Sequence, residues 1–153
     1  MKVFNYFESD NKEYWLNEIG KSDWSAGKAL FEYLRDDKLK GLIGENARVM
    51  LLADDNNKLI SFCTYAELDE IQPTDLTPWI GFAYTFPEYR GNRYLGILFD
   101  EIEKLANEEG YTELHISTDA VGLYEKYGYE FYQMMKSVYD EDCRIYIKKL
   151  VKE

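Results

Sequence analysis

Histidine occurs once in this chain of 153 residues, cysteine twice and proline three times. The two cysteines, Cys63 and Cys143, lie far apart and outside any metal-ligand spacing, so neither a metal site nor a disulfide framework is expected. Positive charge is also scarce. The 18 Lys and Arg face 29 Asp and Glu, a formal net charge of −11. Such a surface repels nucleic-acid backbones and anionic membranes, and it tolerates a cationic small molecule. No apolar run approaches the length that crosses a bilayer. Residues 1–15 lack the apolar core of a signal peptide, so the expected compartment is the cytoplasm, with both cysteines reduced. There is no repeat, low-complexity segment or Pro/Gly/Ser linker, and the length suits one domain.

Aromatic side chains are plentiful, fourteen of them tyrosine, and the composition is that of a globular chain. Periodicity outlines the elements. A first strand is expected over 3–7, helices over 11–19 and 24–39, and strands over 47–53 and 59–66 around an Asp54–Asn57 turn. A strand over 79–86 leads into an amphipathic helix with Leu95, Leu98, Ile102 and Leu105 on one face, stopped at Gly110. A strand over 112–117, a short helix over 119–127 and a hairpin of 131–139 with 143–150 complete the order. This is an α+β pattern: a mixed, mostly antiparallel central sheet flanked by helices in three layers. The unit 79–117 should make its one parallel crossover.

The connection inside that unit stands out. Arg90 and Arg93, with Gly91 and Gly96, sit at a helix start that has no Ser, Thr or Asp cap. A helix start already leaves free N–H groups and partial positive charge. Adding arginines suits an anion, and loops beyond the carboxyl end of such a strand are where ligands bind. A nucleotide P-loop would need Lys-Ser/Thr after its second glycine, where Ile97-Leu98 stands. The dinucleotide fingerprint is absent.

The segment Pro87-Glu88-Tyr89-Arg90-Gly91, after a strand and before an amphipathic helix, resembles the coenzyme A motif of the GNAT superfamily of N-acetyltransferases. Leu123-Tyr124-Glu125-Lys126-Tyr127-Gly128-Tyr129 resembles that family's Leu-Tyr-Glu-Lys-x-Gly-Phe element, and the element order over 47–150 is similar too. The resemblance implies the GNAT fold over 1–153 as a single acetyltransferase domain. Residues 1–45 would form acceptor-side helices, and 78–128 the acetyl-CoA-binding core. It also implies acetyl-CoA as cosubstrate. Tyr84 and Thr85 would meet the pantetheine arm, and Arg90, Gly91, Asn92, Arg93, Tyr94, Leu95 and Gly96 the pyrophosphate. Arg93 and Leu95 stand where the family has small residues, and Gly96 comes one residue late. Arg93 is expected to replace an amide contact with a charged one.

The implied reaction is direct attack of a small-molecule primary amine on the thioester. Tyr124 matches the tyrosine that protonates the leaving sulfur, and a phenol with a reference pKa of about 10 holds its proton at neutral pH. For the base, His115, Asp119 and Glu67 are candidates beside deprotonation relayed by water; imidazole titrates in a suitable range. Trp15, Trp24 and Trp79 are candidate pocket walls, with Trp79 expected in the core. Two other activities fit the resemblance: a non-catalytic acyl-CoA-binding regulatory domain, and an acetyltransferase acting on protein lysines or N-termini. A homodimer is an open expectation, since symmetric dimers are common.

Overall fold

The runs near the middle of the chain are apolar on both strand faces except at Ser61 and Thr64, which demands strands covered on both faces. A computed structural model describes residues 1–151 and meets that demand. β2 (Arg48–Ala53) and β3 (Leu59–Ala66) are almost wholly buried. With β1 (Lys2–Asn5), β4 (Trp79–Thr85), β5 (Glu113–Thr118), β6 (Glu130–Lys136) and β7 (Asp142–Lys149) they form a seven-stranded sheet in the order β1-β2-β3-β4-β5-β7-β6. The β4–β5 pair is parallel, and every other neighbouring pair is antiparallel.

Helices cover both faces. α1 (Lys12–Ile19), α2 (Ser25–Arg35) and α3 (Leu39–Ile43) supply Trp15, Ile19, Leu30 and Ile43, which pack on Val49, Leu51 and Phe62. α4 (Tyr94–Glu108) lays Leu98, Phe99 and Ile102 on the opposite face, against Met50, Leu52 and Ile80. Phe99 and Ala106 complete the buried stripe, and Leu105 lies at its edge.

Several boundaries differ from the periodic expectation, each for a local reason. The first strand stops at Asn5, whose side chain accepts from the Phe7 N–H and the Val49 N–H and starts a 3-10 turn. The helix expected over 24–39 is two helices. Asp37 takes a left-handed φ of 55°, and the Lys38 and Asp37 N–H groups bond back to the Tyr33 and Leu34 carbonyls, a Schellman ending built without glycine. The helix expected over 119–127 is a 3-10 turn at Tyr124–Tyr127, because Gly122 breaks the segment at φ 85°. The strand expected to reach residue 139 ends at Lys136. Beyond it Ser137 Oγ accepts from the Tyr139 and Glu141 N–H groups, and the Val138 N–H is given to the Glu70 carbonyl.

Candidate active site

β4 and β5 stay paired for only two rungs, Trp79 with His115 and Ile80 with Ile116. Past them β4 follows β3 and β5 follows β7, so the sheet opens as a wedge. A bulge sharpens the opening. Phe62 pairs with Tyr84 and Thr64 with Gly81, leaving Cys63 opposite both Phe82 and Ala83. Phe82 takes φ 48° there. Two cavities flank the wedge, and Trp24 and Ala83 line both.

The cavity beside α4 measures about 600 Å³ and carries Arg90, Arg93 and Lys126, with Asp23 as its one carboxylate. Arg90 Nε donates to the Thr85 carbonyl at 2.9 Å, and its guanidinium lies 5.4 Å from the Tyr84 ring. Tyr84 stacks in turn on Trp24, at 5.7 Å and 6°. Its hydroxyl donates to Asp23 Oδ1 at 2.7 Å, and that bond, first among the causes, holds the Asp23 carboxyl below the usual range. Arg90 is therefore fixed by its own loop while most of its donors stay free.

α4 begins at Arg93, whose backbone is left-handed at φ 56°. Glycine would supply this φ without strain, so the arginine carries a backbone cost here. No side chain caps the helix, and the Gly96 N–H bonds to the Arg93 carbonyl at 3.0 Å. Among the described residues the Tyr94 and Leu95 N–H groups have no partner, and both residues line the cleft. Gly91, Tyr84 and Thr85 line it too. Asn92 and Gly96 do not. Asn92 Nδ2 ties the loop to the Tyr89 carbonyl at 3.1 Å, and Gly96 makes room for Tyr127, whose ring would stand 3.2 Å from a β-carbon.

The second cavity, about 450 Å³, is acidic. Asp69, Glu70, Asp119 and Glu141 line it among aromatic walls that include Trp24 and Tyr139, and among its lining residues there is no Lys, Arg or His. Tyr124 reaches it from its 3-10 turn, 6% exposed, with its ring near Phe99 and Tyr146. Burial pushes its hydroxyl above the ordinary phenol value, so the group holds its proton. Asp119 stands exposed at the rim.

The remaining base candidates lie elsewhere. His115 is 1% exposed on the far side of β5, against Trp79. Its Nδ1 meets the Pro78 carbonyl at 2.9 Å and its Nε2 the Glu113 carboxylate at 2.8 Å. With both nitrogens engaged and no face on the cavity, it is a structural residue. Glu67 Oε1 accepts from Asn46 Nδ2 at 3.0 Å, outside the cavity. Of the tryptophans, Trp15 and Trp79 are core and Trp24 is the shared wall. Sequence reading missed Asp69, Glu70 and Glu141, which no motif marks in so acidic a chain. Lys126 was present in the tyrosine element and passed over.

A cationic cleft at a helix start therefore meets an acidic cavity across a split parallel pair. The model of the acetyltransferase (GNAT) family matches residues 6–129. The chain belongs to the GNAT family of acetyltransferases. Its fold is similar to that of an aminoglycoside 6'-N-acetyltransferase complexed with coenzyme A, with TM-score 0.69 and 12% identity over 100% of this chain and 99% of that one. It is also similar to the GNAT family N-acetyltransferase YhbS from Escherichia coli in complex with CoA, with TM-score 0.65 and 18% identity over 98% of this chain and 81% of that one. No curated protein matches the chain in sequence. Among the described residues no helix is long and apolar enough to cross a membrane.

Proposed function

We propose that the protein transfers the acetyl group of acetyl-CoA to the primary amine of a small molecule. The carrying observation is the pair of oppositely charged cavities that meet at Trp24 and Ala83. The cationic cleft fits the coenzyme. Its pyrophosphate would take the free Tyr94 and Leu95 N–H groups with Arg90, Arg93 and Lys126, and the pantetheine arm would run along Tyr84 and Thr85. The acidic cavity fits a cationic acceptor, and similar folds crystallised with coenzyme A support the coenzyme as cosubstrate. Residues 1–45 then contribute acceptor-side walls such as Trp24 and Tyr33, and 78–128 the coenzyme side.

At the wedge the amine lone pair attacks the thioester carbon. The backbone at the bulge polarises the carbonyl, the C–S bond breaks, and Tyr124 protonates the departing sulfur. The volume of the acceptor cavity, about 450 Å³, supports a small molecule over a protein chain. The buried, proton-holding Tyr124 supports turnover over mere coenzyme binding. Two free, buried cysteines support a cytoplasmic setting. The open edge strand β6, with Phe131, Tyr132 and Met134 about half exposed, supports pairing as a homodimer, which sedimentation would test. The function is tested by incubating the protein with acetyl-CoA and a panel of mono- and dicationic amines while following free thiol. Amine-dependent release is expected; coenzyme binding without release would leave the non-catalytic reading.

A further inference from the structure

An acidic cavity draws in an ammonium ion and also stabilises it, so the nucleophile must lose a proton inside the site. Three of the four carboxylates are poorly placed to take it. Glu70 Oε1 already accepts from Ser117 Oγ at 3.2 Å and from Cys143 Sγ at 3.0 Å. Asp119 and Glu141 are exposed. Asp69 differs. It is 7% exposed, yet it lines the cavity, and among the described residues no side chain donates to its carboxylate; the Glu70 backbone N–H favours its charged form.

The segment that carries Asp69 is held at several points. The Leu68 N–H bonds to the Ile43 carbonyl at 3.1 Å, and the Val138 N–H to the Glu70 carbonyl at 2.8 Å. Gln72 Nε2 bonds to the Asp69 carbonyl at 2.8 Å. The carboxylate is thereby pressed against Gly81, the residue before the bulge, where a β-carbon would stand 2.2 Å from Asp69 Oδ1. A rigidly backed carboxylate at the mouth of the wedge has the placement a proton acceptor needs.

We propose that Asp69 is the general base, taking a proton from the acceptor's ammonium group beside the bulge. The proposal rests on the N-acetyltransferase reading above. One N–H bond of the ammonium breaks and its proton goes to an Asp69 oxygen. The freed lone pair forms the C–N bond as the C–S bond breaks. Tyr124 gives its proton to the sulfur, and the second proton of the former ammonium restores the phenol. Asp69 then releases its proton to solvent, and the sum is acetylated amine, free thiol and one proton.

Burial pushes the Asp69 carboxyl up to about 7, with Glu70 adding to the rise. The titratable groups around it are Glu70 on its own segment, Tyr124 on the 3-10 turn, Asp119 after β5, Tyr139 and Glu141 on the β6–β7 turn, Tyr33 on α2 and Cys63 on β3. No cation among the cavity-lining residues draws the value back down.

The test compares wild type with Asp69→Asn at saturating acetyl-CoA across pH, using two nucleophiles: an alkylamine that is an ammonium ion at pH 7, and methoxyamine, which is neutral there. Wild-type turnover of the alkylamine should rise with pH and level off above about 7, once Asp69 is ionised. Asp69→Asn should lose that plateau, its rate following the free-amine fraction upward toward the amine's own pKa, and should fall about 10²- to 10⁴-fold near neutrality, with acetyl-CoA affinity unchanged and the melting temperature not lowered. Its defect with methoxyamine should be at least tenfold smaller, since that amine needs no prior deprotonation. Equal loss with both nucleophiles, or a wild-type plateau kept in the variant, overturns the proposal while leaving the transferase reading in place. A wild-type protein inert with every amine overturns both.

Discussion

Asp69 Oδ1 lies in the space that a side chain on Gly81 would need, 2.2 Å from the position of a β-carbon. The two residues come from different elements, the β3–β4 connection and β4 itself, and they meet where the β4 backbone leaves the regular ladder. Gly81→Ala must therefore displace the carboxylate. We expect a loss of about 1–3 kcal/mol in stability, at least a tenfold fall in turnover and little change in acetyl-CoA affinity. Urea unfolding, steady-state kinetics and calorimetry check these outcomes; unchanged turnover would show that the position of Asp69 is immaterial.

Asp69 also makes stability depend on pH. Its folded pKa is raised from 3.8 to about 7, so the native state holds a proton that the unfolded chain releases. The contribution is fully present below about pH 4 and is lost as pH rises through about 7. At pH 8 Asp69→Asn should be more stable than wild type by about 2–4 kcal/mol, and the gap should close as pH falls toward 4. Melting curves across this window read the difference, and a gap independent of pH would mean that the carboxyl is ionised throughout.

Tyr124 offers a hydroxyl that burial keeps protonated, on the wall the two cavities approach. Tyr124→Phe keeps the ring contacts with Phe99 and Tyr146 and deletes only the proton donor. Turnover should fall about 10²-fold, with Kd for acetyl-CoA unchanged. An acetyl-donor thioester with a better leaving thiol should recover part of the loss, which a packing defect would not allow.

Arg93 joins positive charge to a left-handed backbone. Arg93→Ala keeps the strained φ and removes the charge; acetyl-CoA should bind about three- to tenfold more weakly, and less so at high salt. Arg93→Gly removes the strain as well. It should bind as weakly as Arg93→Ala while being more stable than that variant by about 1 kcal/mol. Equal wild-type affinity in both variants would assign the pyrophosphate to Arg90, Lys126 and the α4 amides alone.

The fold was largely legible because its signals are local. The mostly apolar β2 and β3 runs, the stripe of α4 and the arginine-bearing helix start each follow from a few neighbouring residues. The arginine-bearing cleft was legible for the same reason, being one strand, turn and helix. The acidic cavity was not. Glu70 is placed by contacts with residues tens of positions away, Val138 and Cys143 among them, and Asp69 by its approach to Gly81. The Val138–Glu141 turn over the cavity read as the end of a strand, because the hydrogen bonds to Ser137 Oγ that form it leave no periodic mark. His115 misled in the opposite way: strand alternation set it apart from Leu114 and Ile116, but the face it occupies is a second core beneath Trp79.

The proposed reaction is acetyl transfer from coenzyme bound in the cationic cleft to a small amine in the acidic cavity. Its most direct test supplies acetyl-CoA labelled in the acetyl carbon together with a panel of small mono- and dicationic amines, and measures labelled amine by mass spectrometry against thiol released. The account predicts equal amounts of the two products, strict dependence on the amine and no label left on the protein. Label accumulating on protein lysines, or thiol release without any acetylated amine, would contradict it.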